Sequence, residues 1–139
     1  MPQNLADKTI LLVEDEALIA MNEASILEKH GFDVVTASNA KKAIETTEKQ
    51  TFDLILMDID LGRGKMDGTA AAQAILDKQD IPVVFLSSHT EPEVVKKTEG
   101  ITSYGYIVKN SGETVLLASI KMAFRLHDAH MELKNQKEN

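Results

Sequence analysis

Phe52-Asp53-Leu54-Ile55-Leu56-Met57-Asp58-Ile59-Asp60 is the stretch that decides the fold of this chain. Its apolar run, Leu54 to Met57, is typical of a strand that is buried on both faces of a parallel sheet. An aspartate cannot stay inside such a strand without a partner, so Asp58 is expected to emerge at the strand's carboxyl end. Ligands of open α/β sheets bind at that edge. The pattern therefore makes Asp58 the first candidate for chemistry.

Length and composition restrict the class of protein. The 139 residues suit one domain, and contents of 43% apolar and 4% aromatic residues predict an aliphatic core. A net charge of −7 argues against direct binding to nucleic acid, which requires clustered Lys and Arg. The absence of cysteine excludes disulfides and thiolate metal sites and fits a reducing compartment. No apolar run approaches membrane-spanning length, so we expect a cytoplasmic protein without a membrane partner.

Strand and helix patterns alternate five times along the chain. Strands are predicted at 9–13, 32–37, 54–57, 83–86 and 104–108. The helices that follow them are predicted at 17–29, at 68–78, at 92–99 and at about 113–133, and the second helix runs from a cap at Ser38 or Asn39 to about residue 50. Residues 134–139 are expected to fray. This alternation predicts an α/β fold in which helices cover both faces of a parallel sheet through right-handed crossovers.

Polar residues stand at the carboxyl ends of four of the five predicted strands. They are Glu14 and Asp15, Asp58, Ser87, and Lys109. Carboxylates gathered at one edge raise one another's pKa values, so positive charge must offset them. Lys109 supplies one charge. Because these strand ends offer oxygen ligands and no His or Cys, Mg²⁺ is the natural second cation.

The chemistry that suits this set is phosphoryl transfer. An Asp58 carboxylate oxygen beside a metal ion is placed to attack a phosphoryl group. Mg²⁺ and Lys109 would neutralise the phosphoryl oxygens, and the Ser87 hydroxyl would donate a hydrogen bond to them. The product on this interpretation is an aspartyl phosphate.

The motifs at the strand ends carry a family resemblance. In order they are Leu11-Leu12-Val13-Glu14-Asp15-Glu16, Asp53-Leu54-Ile55-Leu56-Met57-Asp58, Met66-Asp67-Gly68, Pro82-Val83-Val84-Phe85-Leu86-Ser87-Ser88 and Gly105-Tyr106-Ile107-Val108-Lys109. From about Lys8 to Leu126 the sequence resembles the receiver domain of two-component response regulators. The resemblance implies a doubly wound, flavodoxin-like sheet of five parallel strands in the order 2-1-3-4-5. The expected division is a receiver domain over 1–126, followed by a helix extension and frayed tail over 127–139.

The resemblance also implies a role for each site residue. Asp58 would accept phosphate from a phosphohistidine on a sensor histidine kinase or phosphotransfer domain, a phosphoacceptor role rather than an enzymatic one. Small donors would also phosphorylate it, and it would dephosphorylate itself. Glu14, Asp15, Asp58 and the backbone carbonyl of Asp60 would bind Mg²⁺. Ser87 would be the switch hydroxyl, and Lys109 would form an ion pair with the phosphoryl group. Tyr106 would be the switch aromatic, on the face formed by the fourth helix, fifth strand and fifth helix.

Three features depart from the family pattern. Asn110 replaces the proline that follows the lysine, and a cis bond there would cost about 3–4 kcal/mol, so we expect a trans bond. Gly62 replaces another proline and opens an extended loop that carries Arg63 and Lys65. Asp60 and His89 occupy two positions that tune the lifetime of the acyl phosphate in the family, so we expect an altered lifetime.

Two other functional classes stay open from the sequence. A receiver-like fold could serve as an interaction module without phosphorylation. Asp58-Ile59-Asp60 also resembles the paired aspartates of haloacid dehalogenase-type phosphatases, although that motif normally follows the first strand.

The last helix has a second apolar face besides the one that docks on the sheet. Its residues are Val115, Met122, Leu126, Ala129 and Leu133. This heptad-like stripe indicates either a homodimer through the last helix or continuation into a signalling helix.

Overall fold

The computed structural model describes residues 7–61, 66–88, 92–101, 104–109 and 111–138. Its elements are β1 (Thr9–Val13), α1 (Ala17–Lys29), β2 (Asp33–Ala37), α2 (Ala40–Lys49), β3 (Leu54–Asp58), α3 (Gly68–Leu76), β4 (Val83–Ser87), α4 (Pro92–Glu99), β5 (Tyr106–Val108) and α5 (Glu113–Glu138). Within the described ranges, no helix is both long enough and apolar enough to cross a membrane.

The sheet has five strands, and every neighbouring pair is parallel. The strand order is β2-β1-β3-β4-β5, which confirms the doubly wound, flavodoxin-like arrangement that the sequence predicts. β3 lies in the centre, and all five of its residues are buried. The strand order reverses beside β1 and β3, so the ligand-binding crevice of this fold lies at their carboxyl ends.

Side chains along β3 alternate between two hydrophobic layers. Leu54 and Leu56 pack with side chains of α1 and α5, which we call the α1–α5 layer. Ile55 and Met57 pack with side chains of α2, α3 and α4, which we call the α2–α3–α4 layer. A shift of one residue would exchange the two sets, and truncation of a buried Leu or Ile costs about 2–5 kcal/mol. Packing on both faces therefore fixes the position at which Asp58 reaches the edge.

Local signals in the sequence set the helix ends near the site. The Asn39 side chain accepts a hydrogen bond from the Lys42 N–H at 2.8 Å, so Asn39 rather than Ser38 caps α2. Asp67 caps α3 by accepting from the Ala70 N–H at 2.9 Å. Gly31 follows α1 with a φ of 95°, as its predicted role in ending that helix requires.

Several predicted boundaries are wrong. β3 and β4 each end one residue later than predicted and α3 ends two residues earlier, at Leu76, while three other differences have a visible cause. β2 begins one residue late, because the Phe32 N–H donates to the Leu27 carbonyl at the end of α1. β5 begins at Tyr106, since Tyr104 instead packs edge-on against His127 of α5.

The third of these differences is the end of α5, which continues to Glu138, so the predicted frayed tail is helical through residue 138. No Gly or Pro interrupts this segment. Lys134 also lies 3.9 Å from Asp80 of the folded domain, measured from Nζ to Oδ2.

Candidate functional site

The structure brings the predicted polar residues together at the carboxyl edge of the sheet. Asp58 is the last residue of β3 and is fully buried. Glu14 follows β1 and is 2% exposed, while Lys109 follows β5. Their meeting confirms the sequence argument that parallel strands deliver their terminal side chains to one edge.

Lys109 connects the two buried carboxylates. Its Nζ lies 2.9 Å from Asp58 Oδ2 and 3.3 Å from Glu14 Oε2. The second Asp58 oxygen, Oδ1, accepts a hydrogen bond from the Asp60 N–H at 3.0 Å. Both oxygens of Asp58 are therefore oriented, one by a cation and one by the backbone of the following loop.

The buried charges shift the pKa values of all three groups. Burial, followed by the neighbouring Asp58 carboxyl, raises the pKa of Glu14 from 4.5 to about 8, although Lys109 opposes the change. Burial also raises the pKa of Asp58, against hydrogen bonds from its neighbours. Burial alone would lower the pKa of Lys109, but Asp58 and Glu14 outweigh it and raise that pKa. Burial therefore disfavours the ionised form of both carboxyls although Lys109 lies beside them, so the site has a deficit of positive charge.

A divalent cation fits this deficit. Glu14, Asp15 and Asp58 each offer one carboxylate oxygen, and these oxygens lie within 4.8 Å of one another. Glu14 Oε2 is buried and, apart from its ion pair with Lys109, has no hydrogen-bond partner within the described chain. Asp15 is exposed, which leaves one side of the group open to water. Hard oxygen donors with an open side match the ligands of Mg²⁺, which usually keeps several of its waters.

Ser87 and Tyr106 lie on the other side of the sheet edge. Ser87 ends β4 and is fully buried, and its backbone carbonyl accepts a hydrogen bond from the Lys109 N–H at 2.9 Å. It stands two residues after Phe85 of the α2–α3–α4 layer, so strand alternation directs its side chain to that face. Tyr106 is half-buried against the same layer. These positions suit the predicted switch roles, which stay predictions.

Gly68 forms a contact that the sequence reasoning missed. Its N–H donates to the Ile59 carbonyl at 2.9 Å, and a Cβ at this position would lie 2.0 Å from the Asp58 carbonyl oxygen. The first turn of α3 thus rests directly on the backbone of the phosphoacceptor candidate. A signal was present, because glycine is unfavourable within a helix, so a glycine at the start of a predicted helix indicates a close approach of backbone.

Glu23 of α1 is a second residue that the sequence reasoning missed. Burial raises its pKa to about 7, and its Oε1 is buried without a hydrogen bond in the described structure. It lines a cavity of about 540 Å³ between α1 and the β5–α5 segment, together with Lys109. A signal was present, because Glu23 lies three residues after Ala20 and four before Leu27, both on the buried face of α1.

Some predicted features lie outside the described residues. They are His89, the Lys109–Asn110 bond and the 62–65 loop with Arg63 and Lys65. The role of Asp60 as a rate-tuning residue and carbonyl ligand stays a prediction; its side chain is exposed.

Comparison with known proteins identifies the same family that the motifs at the strand ends indicate. The sequence profile of the response regulator receiver domain matches residues 10–121. The transcriptional regulatory protein PdtaR of Mycobacterium tuberculosis is 32% identical over 117 residues, which are 84% of this chain and 56% of that protein. The chain therefore spans about half the length of this curated relative.

Solved structures agree with the sequence match. The N-terminal domain of a response regulator/sensory box/GGDEF three-domain protein from Carboxydothermus hydrogenoformans is 46% identical, with a TM-score of 0.82, covering 89% of this chain and 99% of that one. A CheY-like receiver domain protein from Methanospirillum hungatei has a TM-score of 0.82 at 25% identity, covering 90% of this chain and 99% of that one. Since the profile covers most of the chain and the acidic edge has the expected residues, the chain belongs to the response regulator receiver domain family.

Proposed function

We propose that Asp58 accepts a phosphoryl group from a phosphohistidine on a sensor histidine kinase or phosphotransfer domain. The observation that carries this proposal is the geometry of Asp58 at the sheet edge, with Lys109 Nζ 2.9 Å from Oδ2 and the Asp60 N–H on Oδ1. A carboxylate held by these two contacts is oriented before the donor arrives. The raised pKa values of Glu14 and Asp58 support the proposal, because a divalent cation bound at this edge would favour the ionised form of both carboxyls.

The proposed reaction is a direct displacement at phosphorus. An oxygen of Asp58 attacks the phosphorus, the phosphorus–nitrogen bond of the donor breaks, and its electron pair stays on the imidazole ring. Lys109 exchanges its contact with Asp58 for the phosphoryl oxygens, and the Ser87 hydroxyl donates a hydrogen bond to them. Mg²⁺, held by Glu14, Asp15, Asp58 and the Asp60 carbonyl, would supply further positive charge to those oxygens.

The covalent product would act as a signal rather than as a released product. Hydrolysis of the acyl phosphate would return the domain to its first state, at a rate that Asp60 and His89 tune. Small phosphodonors would replace the kinase in vitro. Tyr106 would report the state of Ser87 to partners that bind α4, β5 and α5. The cytoplasmic location expected from the sequence is part of the same proposal.

Reaction with a small phosphodonor tests the proposal. The protein is incubated with Mg²⁺ and acetyl phosphate, and the intact mass is recorded over time. We expect a single phosphoryl adduct that Asp58→Asn abolishes and that EDTA prevents. Asp33→Asn, which removes an exposed carboxylate from the opposite end of the sheet, is the matched control and should leave the adduct unchanged.

Each alternative function has its own outcome in this assay. Hydrolysis of a phosphate monoester over many turnovers would support the haloacid dehalogenase-type phosphatase, whereas slow release of phosphate from acetyl phosphate follows from self-dephosphorylation alone. Absence of any adduct, both with acetyl phosphate and with beryllium fluoride, would support an interaction module that is not phosphorylated. An adduct that persists in Asp58→Asn would show that another residue is the acceptor.

A further inference from the structure

The last helix presents an apolar stripe on the side that faces away from the domain. Leu116, Ile120, Ala123 and Phe124 of α5 are buried in the α1–α5 layer. On the opposite side, the exposed fractions are 44% for Val115, 53% for Met122, 44% for Leu126 and 60% for Leu133, and Ala129 is also exposed. α5 docks with one face and leaves the other in solvent.

The spacing of this stripe is that of a helix pair. From Met122 the apolar residues follow at intervals of four, three and four, which is the alternation of a heptad repeat. Extending the repeat by one position at each end reaches Ser119 and Gln136, so none of the six repeat positions between 119 and 136 carries a charge. The seam is about 26 Å long at 1.5 Å per residue. We give the name α5 seam to the six positions of this repeat, which are Ser119, Met122, Leu126, Ala129, Leu133 and Gln136.

We propose that the α5 seam binds the α5 seam of a second copy of this chain in an antiparallel helix pair. A twofold axis places the same surface on both partners, so the seam must be complementary to itself. With Leu126 opposite Ala129 of the second copy, Met122 lies opposite Leu133 and Ser119 lies opposite Gln136. This register sets the larger Leu126 against the smaller Ala129 and closes each end with a polar pair.

Charge favours the same arrangement. Arg125 and Glu132 are both exposed and flank the seam on one side, one heptad apart. In the antiparallel register, Arg125 of each copy lies beside Glu132 of the other, which gives two ion pairs by symmetry. In a parallel pair Arg125 would instead approach His130, which offers no attraction. The seam is shorter than three heptads, so we expect a weak, concentration-dependent dimer rather than a permanent one.

Sedimentation velocity of the full chain, from about 1 µM to about 1 mM, tests this inference. We expect a monomer–dimer equilibrium that the double variant Leu126→Gln/Leu133→Gln weakens at least tenfold. The matched control is Leu18→Gln/Met21→Gln, which changes two exposed apolar residues of α1 and should leave the equilibrium unchanged. Circular dichroism melts establish that each variant is folded.

A charge exchange tests the orientation of the helices. Arg125→Glu alone should weaken the dimer several-fold, because it places two glutamates side by side. Arg125→Glu combined with Glu132→Arg should restore the dimer. A chain that stays monomeric throughout, a dimer that tolerates the Leu126/Leu133 variant, or a dimer insensitive to Arg125→Glu would each overturn the inference. Because Asp58 takes no part in the seam, Asp58→Asn should dimerise normally even if the phosphoacceptor proposal fails.

Discussion

Replacement of Gly68 by alanine tests how tightly the first turn of α3 rests on the site. Gly68 is buried, and an added Cβ would stand 2.0 Å from the Asp58 carbonyl oxygen and 2.8 Å from the Ile59 Cα. All of these neighbours are backbone atoms, so no side-chain rotation can relieve the contact. The backbone of α3 or of the Asp58–Ile59 segment must move by about 1 Å before the distance becomes tolerable.

The expected cost follows from three terms. Overpacking of a tight backbone contact costs about 1–3 kcal/mol. The movement also weakens the hydrogen bond from the Gly68 N–H to the Ile59 carbonyl, which contributes about 1 kcal/mol. Alanine returns less than about 1 kcal/mol of helix propensity, since this is the first helical residue. We expect Gly68→Ala to lower the free energy of unfolding by about 1–4 kcal/mol, although in an exposed helix the same change stabilises.

Urea denaturation followed by circular dichroism measures this difference, and Gly100→Ala is the control. A Cβ at Gly100 would meet its nearest neighbour, the Lys97 carbonyl oxygen, at an ordinary 3.7 Å. The Gly68→Ala variant should also react more slowly with acetyl phosphate, because its Asp58 backbone is displaced. If Gly68→Ala is as stable as the unmodified protein within about 0.5 kcal/mol, the close contact does not constrain the backbone at Asp58.

Three further predictions use other features of the structure. Burial raises the pKa of Glu23 from 4.5 to about 7, so the contribution of Glu23 to stability is full below pH 4.5 and is lost as pH rises through 7. The urea midpoint of Glu23→Gln should therefore fall less between pH 5 and pH 8 than the midpoints of the unmodified protein and of the control Glu28→Gln. Equal pH dependence of the three midpoints would contradict this prediction. Asn39→Ala removes the cap of α2 and should cost about 1 kcal/mol in urea denaturation, whereas Ser38→Ala should cost almost nothing. Lys109→Met removes the cation that lies 2.9 Å from Asp58 and should slow phosphorylation by acetyl phosphate at least tenfold, which corresponds to a loss of about 1.4 kcal/mol or more of transition-state stabilisation. Circular dichroism should show that the variant is folded, and an unchanged rate would exclude Lys109 from the reaction.

The fold could be predicted from the sequence because its signals are local and repeated. The run from Leu54 to Met57 identifies the central strand, and capping residues such as Asn39 mark where helices begin. The strand order came from the family resemblance rather than from these patterns. Boundaries failed where distant contacts decide them, as at Tyr104, which packs on His127 instead of extending β5.

Only part of the candidate site could be predicted from the sequence. Glu14, Asp58 and Lys109 could be predicted to meet, because residues at the ends of parallel strands share one edge of the sheet. The burial of Glu23 against the β5–α5 segment and the contact between Gly68 and Asp58 could not, because each depends on how a helix packs on the sheet. The switch role proposed for Tyr106 came from the family resemblance, because no local pattern around a strand aromatic indicates such a role.

The alternation of side chains along β3 and β4 places Asp58 and Ser87 on opposite faces of the sheet. Asp58 follows Leu56 of the α1–α5 layer by two residues, whereas Ser87 follows Phe85 of the α2–α3–α4 layer. A phosphoryl group held by both side chains would join two layers that the sheet otherwise keeps apart. Its arrival would then change the free energy of packing on both faces at once. Two different proteins could sense the same covalent event, one on each side of the domain, without competing for a common surface.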